Sequence, residues 1–175
     1  MKHLVPAILL LFSLNTFAQV GKKFPTLEGV TLGEKKVNIP ADCKGKMTVI
    51  CLAFSKRAEE ALHSWMVPMY NKFVAKTGMM DDAYDVNLYF VPMFTGIHQP
   101  TENMAKKQLK DGTGKEFFNI VLCYHGSIHP YKEELNFDEK EFPYFFILDK
   151  DGKIIYATKG FYDEKKMEEI SDKIE

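Results

Sequence analysis

The sequence predicts an α/β fold: a mixed central sheet flanked by helices on both faces and opened by an N-terminal β-hairpin. Three observations predict it. Apolar runs of strand length, Met47–Phe54 and Val86–Met93, are separated by a segment with helical spacing, the alternation that builds parallel strands joined by a crossover helix. Two short strand-like runs precede the first of them. Two more flank Asp149-Lys150-Asp151-Gly152 and add an antiparallel hairpin before a last amphipathic helix.

The first eighteen residues read as a targeting segment. Lys2 and His3 precede the apolar run Leu4–Leu14, and Thr16-Phe17-Ala18 places small residues at a cleavage site, the pattern of a secretory signal peptide. The run is too short to cross a bilayer, and no cysteine follows it closely as a lipid acceptor would. The expectation is a signal peptide over residues 1–18 and an exported, periplasmic or extracellular domain over 19–175, with no membrane span after cleavage.

Within that domain, Phe24-Pro25-Thr26 opens an irregular stretch, and Val30-Thr31-Leu32 and Val37-Asn38-Ile39 around Gly33 read as a hairpin. Asp42–Lys46 is a polar turn. Met47–Phe54 is apolar throughout, as a strand buried on both faces requires, and is read as the central strand. From Ala58 to Lys76 the residues Ala58, Leu62, Trp65, Met66, Met69, Tyr70 and Phe73 recur at three- and four-residue steps. This predicts a helix with its core face on those side chains, disturbed at Pro68, which lacks the amide for an intrahelical bond. Val86–Met93 is the next strand. Gln99-Pro100-Thr101-Glu102 starts a helix that runs to about Lys110, where Gly112 and Gly114 break it. A strand over Phe117–Tyr124 follows, then one or two helical turns within Pro130–Asn136. Strands Tyr144–Leu148 and Lys153–Ala157 form the closing hairpin. Asp163 caps a final helix carrying Met167, Ile170 and Ile174 on one face.

Composition narrows the function. The chain carries 23 basic and 24 acidic residues without a basic patch, so it has no field to steer nucleic acid. Fourteen Phe and eight Tyr favour a well-packed domain. Cys43, Cys51 and Cys123 allow at most one internal disulfide, and none is spaced as CxxC or as a zinc-ligand pair.

Two stretches carry a family resemblance. One runs from Val20-Gly21-Lys22-Lys23-Phe24-Pro25 through Val37-Asn38-Ile39-Pro40 to Gly45-Lys46-Met47-Thr48-Val49-Ile50. The other is Phe142-Pro143-Tyr144-Phe145-Phe146-Ile147-Leu148-Asp149-Lys150-Asp151-Gly152-Lys153-Ile154. On these the chain resembles the thioredoxin-like superfamily, in particular redoxins of the TlpA and peroxiredoxin type. The resemblance implies a cis peptide at Pro143, facing the loop where redoxins hold their W-C-x-x-C. Here that loop reads Ala53-Phe54-Ser55-Lys56-Arg57-Ala58-Glu59-Glu60, without cysteine. Thiol–disulfide exchange needs an attacking thiolate and a resolving thiol, and an alcohol replaces neither. A narrower likeness, through Leu62-His63-Ser64-Trp65-Met66-Val67-Pro68, Tyr124-His125-Gly126, Tyr131-Lys132-Glu133-Glu134-Leu135 and Gly152-Lys153-Ile154 to Gly160, is to the mitochondrial ATP-synthase assembly factor family. That family shares the fold and lacks the redox pair; its Arg-Trp after the final turn is Ile155-Tyr156 here.

The candidate sites follow. The degenerate redox loop with Phe54, Ser55, Lys56, Arg57 and Pro143 is read as a surface for a protein or peptide client in the cell envelope. A helix start flanked by two cations suits a carboxylate or an extended chain. Cys51 and Cys123 sit among strand apolar residues and are expected buried; Cys43, in a polar turn, is the candidate exposed, reactive thiol. An unconventional thiol oxidoreductase or peroxidase acting through Cys43 or Cys123 is the rival reading. His125 and His129 are four apart, but Gly126 and Ser127 argue for a loop and no third ligand is in view. No metal or cofactor is expected.

Overall fold

The computed structural model describes residues 18–94 and 99–174. The expected signal peptide, apart from Ala18, lies outside them. In chain order the elements are β1 (Leu27–Thr31), β2 (Lys36–Ile39), β3 (Met47–Ala53), α1 (Lys56–Tyr70), β4 (Val86–Phe94), α2 (Gln99–Asp111), β5 (Leu122–His125), α3 (His129–Leu135), β6 (Tyr144–Leu148), β7 (Ile154–Lys159) and α4 (Glu164–Asp172). The strands form one seven-stranded sheet in the order β2-β1-β5-β4-β3-β6-β7. Parallel pairs β3–β4 and β4–β5 lie inside it, and antiparallel hairpins close both ends. The mixed α/β architecture is the one the sequence predicts.

Strand alternation divides the core between the two faces. Val49, Cys51 and Ala53 of β3, with Phe145 and Ile147 of β6, pack against Trp65 and Met69 of α1 and Met167 and Ile170 of α4. Ile50, Leu52, Phe146 and Leu148 point to the other cluster, which includes Tyr131 and Leu135 of α3 together with Phe24 and Phe137. β3 lies between β4 and β6 and is buried on both faces, which is why its sequence shows no polar alternation.

Helix α1 starts two residues before its apolar periodicity does, because Ser55 caps it: the extended Ser55 accepts the Ala58 amide on Oγ at 3.1 Å. Pro68 lies within the helix, and beyond Tyr70 the winding widens to π-type over Asn71–Ala75. β5 is shorter than predicted. The Phe117 carbonyl accepts the amides of both Ile120 and Val121, so those residues close a turn, and Val121 contributes only a single bridge to Phe90. No helix among the described residues is long and apolar enough to cross a membrane.

Candidate functional site

Two segments meet at the start of α1, and a third is tied to the helix further along. The first is the cap itself. Ser55 Oγ accepts from Ala58 N and donates to the Lys140 carbonyl, so the hydroxyl that stands where redoxins are expected to hold sulfur spends its proton on the protein's own backbone. Lys56 and Arg57 follow it, both exposed. One turn further in, burial, with Glu60 beside it, pushes the Glu59 carboxyl above the ordinary carboxylate range.

The second segment, residues 138–142, lies over Ser55 and is fixed from below. Tyr144 Oη donates to Asp138 Oδ1 at 2.8 Å and accepts the Glu139 amide at 2.9 Å; Lys159 Nζ donates to Glu139 Oε1 at 2.6 Å and Asp138 Oδ1 at 3.2 Å. The Tyr144 hydroxyl, with Lys159, holds the Asp138 carboxyl below its ordinary range. The third segment is the β7–α4 connection, Gly160-Phe161-Tyr162. Trp65 Nε1 donates to the Gly160 carbonyl at 3.1 Å, and the Trp65 ring packs 4.4 Å from Phe145 and 5.2 Å from Tyr162. This connection is thereby tied to α1.

The structure corrects three expectations here. The Phe142–Pro143 bond is trans, and among the described residues the cis bond is Ile39–Pro40. Trans is the ordinary X-Pro state, kept unless local packing favours the other. In this conformation Phe142 packs edge-on against Phe161 at 5.2 Å, and the Pro143 carbonyl accepts the Gly160 amide at 3.1 Å. Secondly, Phe54 and Pro143 are buried and belong to the floor of the surface, not to its face; Phe54 stacks on Phe137 with centroids 5.2 Å apart. The apolar group that solvent reaches is Phe161, 50% exposed, beside a groove of about 370 Å³ lined by Phe142, Lys159, Phe161, Tyr162 and Lys166. Sequence reading missed Phe161, whose position just after Gly160 signals only a loop.

Thirdly, Cys43 is buried at 3% exposure, not an exposed thiol. The 3₁₀ turn Ala41–Cys43 leaves Asp42 and Lys44 outside and turns the sulfur inward, into the cluster that holds Ile39 and Ile50. Cys51 and Cys123 are buried as expected, and all three thiols are free. Burial raises each: Cys43 above its ordinary value, Cys51 well above it, and Cys123 up to about 11. Near neutral pH they are therefore protonated and poor nucleophiles. A disulfide-exchange thiol reagent at pH 8 is expected to titrate less than about a tenth of one thiol in the native protein within minutes, and three after denaturation. Rapid reaction of Cys43 in the folded state would contradict its placement.

His125 ends β5, stacked 5.1 Å from Phe94, whereas His129 begins α3 beside Glu133, so the two do not share a helix. Among the described residues no group of three or more His, Cys, Asp or Glu side chains is placed to hold a metal. A groove of about 420 Å³ against the N-terminal hairpin, lined by Glu28, Val30, Asn38 and His125, shares no residue with the surface around Ser55.

Similar folds occur in proteins of low sequence identity. An exposed lipoprotein thioredoxin, Etrx1 of Streptococcus pneumoniae, superposes with a TM-score of 0.59 at 15% identity, over 85% of this chain and 99% of that one. A thiol:disulfide interchange protein from Bacteroides sp. gives 0.58 at 18% identity, over 89% and 90%. Yeast Sco1 gives 0.53 at 15% identity, over 87% and 94%. These likenesses establish a thioredoxin-like fold. No curated protein matches in sequence. The pattern of the ATP10 protein family matches residues 18–174, nearly the whole length, and the chain belongs to that family.

Proposed function

We propose that this is an exported, non-catalytic binding or assembly protein that holds a segment of a client on the surface formed by Lys56, Arg57, Phe142 and Phe161. The observation that carries the reading is Ser55: at the position where redoxins attack with sulfur, it spends its hydroxyl on the Lys140 carbonyl and the Ala58 amide. What is left is shape and charge: two exposed cations at the start of α1, and an exposed aromatic ring at a groove that Lys159 and Lys166 also line. An aromatic anchor with adjacent cations is the composition of a recognition patch. Membership of the ATP10 family supports an assembly role. Export, to the periplasm or outside the cell, is supported by the signal-peptide pattern of residues 1–18. The rival, thiol chemistry at Cys43 or Cys123, is disfavoured by the burial of both.

The test is binding of a permanently unfolded probe, reduced and carboxymethylated lactalbumin, to residues 19–175, followed by fluorescence anisotropy. Lys56→Ala with Arg57→Ala, and separately Phe161→Ser, are each expected to weaken binding about five-fold or more. Unchanged affinity in both variants would reject this surface. Insulin reduction or peroxide consumption that disappears in Cys43→Ser would reject the non-catalytic reading.

A further inference from the structure

The sheet ends in two edge strands that the chain treats differently. On β2 the outward amide of Asn38 is taken by Asp42 Oδ2 at 2.8 Å, and Pro40 follows the strand directly; both features discourage pairing with another chain. On β7, among the described residues, backbone from the chain's own N-terminal segment covers the outer side where the strand begins. Gly21 N donates to the Ile154 carbonyl at 2.8 Å, Ile154 N to the Lys22 carbonyl at 2.9 Å, and Phe24 N to the Gly152 carbonyl at 3.0 Å. The segment then leaves the edge: Gly21 has φ +90, a value that glycine adopts without strain, and the preceding Gln19 is buried with Nε2 on the Leu135 carbonyl.

Along Ile155–Lys159, no strand pairs with that outer side among the described residues. The stretch contains no proline, and Ile155 is 37% exposed. Lys166 Nζ rests on the Lys159 carbonyl at 3.2 Å, so a single side chain closes the far end. Beyond it, Lys159-Gly160 leads directly into the groove between Phe142 and Phe161.

We propose that β7 receives the client as an added strand: a short, extended, apolar segment pairs with Ile155–Lys159 and places one apolar side chain in the Phe142–Phe161 groove. This rests on the binding reading above and specifies its mode. The pairing continues the line that the chain's own Gly21–Phe24 begins, so the geometry of an added strand is already present on this edge. The length of the opening selects the occupant. It is bounded by Gly21 at one end and the Phe161 loop at the other, which suits a short flexible segment.

Hydrogen exchange of the protein bound to the unfolded lactalbumin probe tests this. At saturation the backbone amides of residues 155–159 that face outward are expected to exchange at least about ten-fold more slowly, since an added strand bonds them. Ile155→Lys, a charge on an exposed edge position, is expected to weaken binding about five-fold or more while leaving the melting transition in place. Binding that still depends on Lys56, Arg57 and Phe161, but neither slows exchange at 155–159 nor responds to Ile155→Lys, overturns the strand while the binding surface stands. Slowed exchange that appears with protein concentration alone, together with a dimer in sedimentation, assigns the edge to a second copy and also overturns it. Loss of all binding to the probe removes both readings.

Discussion

Trp65→Ala is expected to destabilise the protein by about 3–5 kcal/mol. The side chain is fully buried and lies between α1, Phe145 of the sheet and Tyr162 of the β7–α4 connection, so truncation leaves a cavity that three elements would have to close together. It also orphans the Gly160 carbonyl, which Nε1 satisfies at 3.1 Å. Trp65→Phe separates the two effects. It keeps much of the apolar volume but leaves that carbonyl unbonded, for an expected loss of about 1–3 kcal/mol. Urea unfolding measures both. Because Gly160 precedes Phe161, the phenylalanine variant is also expected to weaken the unfolded probe more than its stability loss explains. A change below about 1 kcal/mol in Trp65→Ala would mean that the ring is not the link between α1 and this loop.

The parts of this fold that were legible in the sequence are those whose signal is local and repeated. Met47–Ala53 reads as a doubly buried strand because seven consecutive positions avoid charge, and Asp163 reads as a cap because its carboxylate has one job, accepting the Lys166 amide. The missing sulfur at Ser55 was equally plain. What failed depended on contacts across the chain. Whether Phe142–Pro143 is cis or trans is settled by where Phe142 packs, and its partner, Phe161, is distant in sequence. Cys43 has exposed neighbours on both sides, Asp42 and Lys44, and only the sense of a three-residue turn decides that its sulfur faces inward. Phe54 was placed on the surface by its position beside the loop, yet Phe137, from a segment with no periodic pattern, stacks over it. The backbone of this surface was thus legible and its side chains less so, because the exposed aromatic arrives from the opposite end of the domain.

Restoring sulfur at the start of α1 should restore redox chemistry if the scaffold there is still that of a redoxin. Ser55 and Ala58 have the spacing of a CxxC pair, and the 3.1 Å bond from Ala58 N to Ser55 Oγ already brings the two positions together across the first helical turn. In the variant Ser55→Cys with Ala58→Cys, the outer thiol would sit at a helix N-terminus with Lys56 and Arg57 beside it. Both features favour the thiolate and should lower its pKa from about 8.5 to about 7 or below. Glutathione at an oxidising poise is then expected to close the pair, leaving only the three native thiols titratable in denaturant. Insulin reduction should rise above the wild-type level. Replacing Ser55 also removes the hydroxyl that holds the Lys140 carbonyl, so the substitution that supplies the nucleophile loosens the segment lying over it. A disulfide that forms without insulin turnover would place the remaining block in residues 138–142, held down by Tyr144 and Lys159, and Lys159→Ala in that background should then raise the rate. A pair that stays reduced throughout would show instead that the start of α1 has drifted from redoxin geometry, and that Ser55 serves only to cap the helix and hold the Lys140 carbonyl.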